Sequence, residues 1–414
     1  MNIETLKLER VGQIACADVT FGDLTVLVGP QATGKSVFLQ FLKLALDTGY
    51  VHDQLRKHGI EWSRTPADFL DVYLGEGMGG VWKGDGAANG IAVNAAKEEA
   101  AAPPDGKEGK APSAIAVNGQ QADMAHFVRP HRRARARKAL AFYIPAQRVL
   151  SLANGWPRPF QGFASEDPFS VRDFSETFRL LMEQEFNRSE DLFPKTNRLK
   201  REYRDLLSRH VFGGFGLHVD RHGAQKRLVL KQQPSSKAIP FMAWSAGQRE
   251  FVPLLMGLYW LMPGAKTPRR GDIRWVVIEE MEMGLHPCAI SVVLLLVLEL
   301  LWRGYRVCLS THSPHVLDVV WALRVIKERG ADPNRLLEVF DVRKTDPMKD
   351  VASAVIKKSA KVYYFDPNGQ TQDISNLDPG SQDAQEAGWG GLSGFSGRVA
   401  DIVADVVNAS AQQQ

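Results

Sequence analysis

Residues 24–36 read LTVLVGPQATGKS. A short apolar run, Leu24 to Val28, stops at Gly29; Gly34, Lys35 and Ser36 follow, and then VFLQFLKLAL has the pattern of a helix. This is G-x-x-x-x-G-K-[ST] in the strand–loop–helix setting that the motif requires. The spacing has a physical logic. Between Gly29 and Gly34 the loop Pro30-Gln31-Ala32-Thr33 can curl its backbone N–H groups around phosphate oxygens, and the helix start adds its positive end. Lys35 would face the β- and γ-phosphates, and the Ser36 hydroxyl would ligate Mg²⁺.

Three further segments belong with this one. Residues 275–280, WVVIEE, are an apolar strand that ends in two carboxylates. Glu279 would lie near the metal, and Glu280 is placed to polarise water. A second strand, RVCLS (306–310), leads into THSPH, which puts His312 at that strand's C-terminal end. Ser313-Pro314 then opens a helix with a cap residue and a proline at the first position. Parallel strands that end on one edge are where an α/β sheet binds its ligand. The third segment, FMAWSAGQRE (241–250), has no metal ligand or nucleophile–base pair around it. Taken alone it reads as a capped helix that starts at Ser245.

The order of these motifs resembles the ATP-binding-cassette ATPases, and within them the SMC/RecF-like branch. Closer still are the bacterial AAA-family ATPases related to the overcoming-lysogenization-defect proteins. LKLERVGQIACADVTFGDLTVLVGPQATGKS (6–36), IEEMEMGLHP (278–287), LSTHSPHVL (309–317) and FYIPAQR (142–148) carry the resemblance. The resemblance reaches over the two ends and the middle of the chain, about half of it. It implies an α/β P-loop NTPase, an ABC-ATPase-like head with a β-rich N-terminal lobe and a helical insertion. It also implies ATP and Mg²⁺ as ligands, Gln147 as the Q-loop glutamine near the metal, and His312 against the γ-phosphate. Ser245, Gly247 and Gln248 would then serve not their own nucleotide but one bound by a second copy. Ser245 would offer its hydroxyl, Gly247 close backbone approach, and the helix QREFVPLLMGLYWL its dipole. A head-to-tail homodimer or larger homo-oligomer follows. Three residues depart from the family pattern: Glu279 where Asp is usual, Ala246 in the tetrapeptide, and Met281 in place of a proline.

The 414 residues are 44% hydrophobic and 24% charged, an ordinary globular balance, with net charge +4 and a pI near 8.8. That leaves nucleic acid open without arguing for it. Three sparse cysteines (Cys16, Cys288, Cys308) form no zinc clip and suit a reducing, cytoplasmic setting. The charged start MNIETLKLER is unlike a signal peptide. The most apolar stretch, 288–302, is shorter than the roughly 20 residues that cross a bilayer and carries Glu299, so it reads as a buried helix and no membrane is expected.

Five segments are expected: an N-terminal lobe with the glycine loop (1–83); an insertion with an Ala/Pro/Gly-rich disordered loop and a basic run (84–140); a lid strand and helical subdomain (141–240); the lobe with the tetrapeptide, the acids and His312 (241–340); and a C-terminal hairpin and tail (341–414). IAVN occurs at 91–94 and 115–118, each a short-strand candidate. Ser170 and Asp173 predict a capping-box-like helix start, with Val171, Phe174, Phe178 and Leu181 on one face. KVYYFDPNGQTQDI reads as a hairpin and RVADIVADVV as a short amphipathic helix.

Two functions are weighed. The first is an ATP-driven dimerising switch that controls a separate effector protein, in phage defence or DNA maintenance. The alternative is a RecF-like DNA-binding repair ATPase, which strongly salt-dependent DNA affinity would favour. A transporter motor is disfavoured by the long interval between Lys35 and Gln147. About a hundred residues follow His312, too few for another typical domain beside the last ATPase elements, so no nuclease is expected in this chain.

Overall fold

The computed structural model describes residues 3–82, 90–95, 124–129, 137–187, 189–222, 225–232, 237–264 and 268–411. The expected disordered loop, 95–113, lies outside the described residues apart from Ala95. So do the second IAVN copy and most of the basic run.

The chain opens with the hairpin β1 (Ile3–Val11) and β2 (Ile14–Thr20), as the sequence suggests. β3 (Leu24–Val28) follows, buried at every position, and runs through the glycine loop into α1 (Lys35–Lys57). α2 (Pro66–Leu74) starts on Thr65, whose side chain accepts the Asp68 N–H, with Pro66 at the first position. β4 (Gly90–Ala95) contains the first IAVN and pairs antiparallel with β1. α3 (Met124–Val128) and β5 (Ala141–Ile144) come next, then the two-residue strands β6 (Leu152–Ala153) and β7 (Trp156–Pro157). α4 (Phe169–Gln184), β8 (Asp191–Phe193), α5 (Arg201–Leu207), β9 (Gly216–His222), β10 (Gln225–Lys231) and β11 (Ala238–Pro240) complete the middle of the chain. β8 to β11 form an antiparallel sheet of four strands in the order β11-β10-β9-β8, so this region is as much sheet as helix.

α6 (Ala246–Leu261), β12 (Trp275–Ile278), α7 (Pro287–Trp302), β13 (Arg306–Ser310) and α8 (Pro314–Glu328) follow. After α9 (Arg335–Val339) and α10 (Asp346–Val355) come β14 (Ala360–Phe365), β15 (Thr371–Asp373), α11 (Ala384–Ala387) and α12 (Gly394–Ala411). No described helix is long and apolar enough to cross a membrane.

The central sheet has six strands in the order β15-β14-β3-β13-β12-β5. All are parallel except β15, which turns back on β14 through the expected hairpin. Alternation within the buried strands splits their side chains between two cores. Val26, Val276, Ile278, Val307 and Leu309 face the core that holds α4, α6, α7 and α8. Leu27, Trp275, Val277 and Cys308 face the core that holds α1, α2 and the β1–β2 hairpin. Fully buried parallel strands are apolar on both faces for this reason.

Two local expectations are corrected. The cap of α4 is Pro168, with no side-chain cap bond. Ser170 and Asp173 lie inside the helix, where Ser170 accepts from Gln40 and Asp173 from the Tyr50 hydroxyl. Polar side chains on the buried face of a helix bond to neighbouring elements, not to their own first turn. Ser313 stands at the N-cap of α8, but its side chain makes no cap bond. Its N–H instead donates to Thr311 Oγ1.

α1 is fixed to the sheet by a buried polar cluster. Lys43 Nζ donates to Asp47 Oδ2 and to the Ala141 carbonyl, both at 2.7 Å, and lies 3.8 Å from Asp173. Asp47, at a kink in α1, accepts the N–H groups of Leu140 and Ala141 at the start of β5. Replacing Asp47 with Ala would leave a buried ammonium and two N–H groups short of acceptors. Asp47→Ala is expected to lower unfolding free energy by about 3–5 kcal/mol in urea titrations.

Candidate functional site

The glycine loop sits at the C-terminal end of β3, between β14 and β13. Gly29 has φ +137°, and a Cβ there would lie 2.2 Å from the Phe365 carbonyl oxygen at the end of β14. Only glycine fits so close to a neighbouring backbone. Gly34 has φ +92°, and Ala32 is also left-handed at +59°. Lys35 is 6% exposed and folds back over the loop, where Nζ donates to the carbonyls of Gly29 at 2.8 Å and Pro30 at 2.6 Å. Thr33 closes the turn from its hydroxyl to the Pro30 carbonyl. Burial lowers the Lys35 pKa to about 8, against the fields of Glu280 and Glu282, which raise it. The ammonium is thus desolvated and held by loop carbonyls, a position from which a phosphate could draw it.

The acids lie on the same edge of the sheet. Glu279, at the end of β12, is 1% exposed. Its Oε2 accepts the Ala146 N–H at 3.0 Å. Burial raises its pKa, while Ala146, Tyr143 and Ser36 act to lower it. The Ser36 and Tyr143 hydroxyls therefore lie close by, yet Oε1 has no protein hydrogen bond of good geometry. A buried carboxylate oxygen without a donor, beside the loop serine, fits a cation. No group of three or more His, Cys, Asp or Glu among the described residues could hold a metal by itself. An ion held here would take its remaining ligands from phosphate and water, as Mg²⁺ does.

Glu280 has φ +41°, an uncommon conformation for a residue other than glycine. Its N–H donates to the Ser310 carbonyl at 3.0 Å. Its carboxylate lies 3.7 Å from His312 Nε2, both side chains being about one-third exposed. Burial, with Lys35 next, pushes the His312 pKa down, so the imidazole is neutral near pH 7. Gln147 is exposed, immediately after the residue whose N–H holds Glu279.

Ser245, Gly247 and Gln248 are arranged differently. Ser245 caps α6 in a reciprocal box: its Oγ accepts the Gln248 N–H, and Gln248 Oε1 accepts the Ser245 N–H. Gly247 abuts the 280–285 turn, and a Cβ there would lie 2.8 Å from the Gly284 carbonyl oxygen. Ser245 is exposed. No hydrogen bond or ion pair joins Ser245–Gln248 to the loop 29–36 of the same chain among the described residues.

Sequence reasoning passed over Arg148 and Glu282. Arg148 is fully buried. Its Nη1 donates to Glu279 O at 3.1 Å, Nη2 to Glu280 O at 3.2 Å, and Nε to Glu250 O in the first turn of α6 at 3.1 Å. Glu282 accepts the His312 N–H. The signals were Arg148's place at the end of FYIPAQR and a third acid within four residues of Glu279.

No protein-family model and no curated protein sequence matches this chain. Solved structures to which it is similar are heads of SMC proteins. An SmcHead bound to the C-winged helix domain of ScpA is 12% identical with TM-score 0.40, over 75% of this chain and 90% of that one. The SMC head domain from Thermotoga maritima is 12% identical with TM-score 0.30, over 77% and 92%. An Smc head domain with an extended coiled coil, bound to the C-terminal domain of ScpA derived from Pyrococcus furiosus, is 10% identical with TM-score 0.34, over 90% and 95%. Likeness at this level does not define a family.

Removing the Arg148 guanidinium would strip its donors from the carbonyls of Pro145, Glu250, Glu279 and Glu280. Arg148→Ala is expected to cost about 3 kcal/mol or more of stability in chemical denaturation. Arg148→Lys should recover little, because an ammonium cannot reproduce the fork.

Proposed function

We propose that this chain is an ABC-type ATPase that works as an ATP-dependent dimerising switch on a separate effector protein. The observation that carries the reading is the convergence of Lys35, Ser36, Glu279, Glu280 and His312 on one edge of a parallel sheet. The loop 29–36 would hold the ATP phosphates, with Lys35 leaving the Gly29 and Pro30 carbonyls for the β- and γ-phosphates. Ser36 and Glu279 would hold Mg²⁺, with Gln147 beside them; the ion would supply charge neutralisation for the transferred phosphoryl group. Glu280 would take the proton of the attacking water, and His312, neutral, would donate a hydrogen bond to the γ-phosphate.

The exposed, capped start of α6 would receive the γ-phosphate of a second copy. The exposure of Ser245 supports an action in trans. Closure of two copies around two ATP molecules, and opening after hydrolysis, would be what an effector reads. Anti-phage defence and DNA maintenance are the settings proposed for such a switch, in the cytoplasm.

Lys35→Ala is expected to abolish ATP binding in equilibrium dialysis. Glu280→Gln should bind ATP with near wild-type affinity and lose at least about a hundredfold in turnover, because an amide cannot accept the proton. Hydrolysis by Glu280→Gln at the wild-type rate would remove Glu280 from the role of base.

Ser245→Arg and Lys35→Ala should each be inactive alone. A mixed dimer joins one intact loop to one intact tetrapeptide, so mixing the two proteins should restore part of the activity. Heterodimers that form without any recovery would overturn the trans arrangement.

A further inference from the structure

The turn after β12 carries a third acid that the proposed chemistry leaves unused. Glu282 is part-buried, and one of its oxygens, Oε1, accepts the backbone N–H of His312 from across the sheet edge. The other oxygen, Oε2, is buried and has no hydrogen-bond partner within the protein. An acceptor left in that state is a cost to folding, so folding alone does not account for a carboxylate here. The N–H it holds belongs to the residue whose imidazole lies 3.7 Å from Glu280. That N–H stands in the bend between β13 and α8, beyond the last hydrogen bonds of the strand, and Glu282 is the acceptor that fixes it. Two residues on, Gly284 packs against Gly247 at the start of α6. One short turn therefore touches both the histidine and the helix that carries Ser245.

We propose that Glu282 is a positioning residue: by accepting the His312 N–H, its carboxylate sets the imidazole against Glu280. The inference deepens the ATPase reading, since the positioned pair is the one assigned to the attacking water and the γ-phosphate. Glutamine can keep the acceptor oxygen and lose the charge; alanine loses both.

The test uses the full chain labelled with ¹⁵N-histidine, as wild type, Glu282→Ala and Glu282→Gln. Without nucleotide, the His312 amide proton should resonate downfield in wild type, move upfield in Glu282→Ala and stay close to wild type in Glu282→Gln. In steady-state assays Glu282→Ala should lose about tenfold or more in kcat, the effect of one lost charge-assisted hydrogen bond, while ATP affinity stays within about threefold. Glu282→Gln should recover most of that loss. An unmoved His312 amide in Glu282→Ala, equal defects in the two variants, or a loss of affinity as large as the loss of kcat would each overturn the inference. Amide shifts as expected in a wild-type protein that neither binds nor hydrolyses ATP would instead sink the ATPase reading and leave the Glu282–His312 link standing.

Discussion

A guanidinium without water has to find its hydrogen bonds in the protein, and the site is organised around that requirement. Arg148 is fully buried, and burial pushes its pKa down although four glutamates oppose the shift. Its donors are met mainly by main-chain carbonyls: Pro145 after β5, Glu279 and Glu280 after β12, and Glu250 in α6. Carbonyls on three separate elements can meet one rigid fork only if those elements keep a fixed relation. Arg148 thereby links the loop after β5, the paired acids and the tetrapeptide helix. The unusual backbone of Glu280, at φ +41°, is held from both sides, by Arg148 on its carbonyl and Ser310 on its N–H. A strained residue at a candidate site persists only where its surroundings over-determine it.

Against this linked set stands a loop whose own interactions are provisional. Lys35 is satisfied by carbonyls of the loop it belongs to, and desolvation makes its charge less favourable than in water. Glu279 carries one satisfied and one unsatisfied oxygen in a dry environment. Both groups would gain from a ligand that brings negative charge to the lysine and positive charge to the glutamate. A nucleotide with its Mg²⁺ does both at once, which is the electrostatic basis of the proposed function.

The glutamate at position 279 deserves comparison with the shorter aspartate of the resembled family. Its Oε2 accepts the N–H of Ala146, two residues beyond β5, and the Ser36 hydroxyl acts to lower its pKa. The acid is thereby tied into the segment that precedes Gln147 and Arg148. That bond is one the sequence pattern did not suggest.

Much of this was written in the sequence. Strand–loop–helix at 24–57, the acids at the end of β12, His312 after β13 and the hairpin at 360–373 follow from local patterns of apolarity, glycine and proline, and those patterns act over a few residues. The capped helix start at Ser245 was legible for the same reason, though its reciprocal bond with Gln248 was not. What only the tertiary structure decided involves partners far apart in the chain. β14 pairs with β3 over more than three hundred residues, which brings the C-terminal hairpin beside the glycine loop and makes Gly29 obligatory under Phe365. Ser170 and Asp173 look like a cap in sequence, but the burial of α4 against α1 turned them to Gln40, Tyr50 and Lys43. Arg148 and Glu282 are ordinary charged residues until the sheet assembles. Their roles arise because burial removes water, and a desolvated charge must then be satisfied by whichever backbone groups the fold has placed around it.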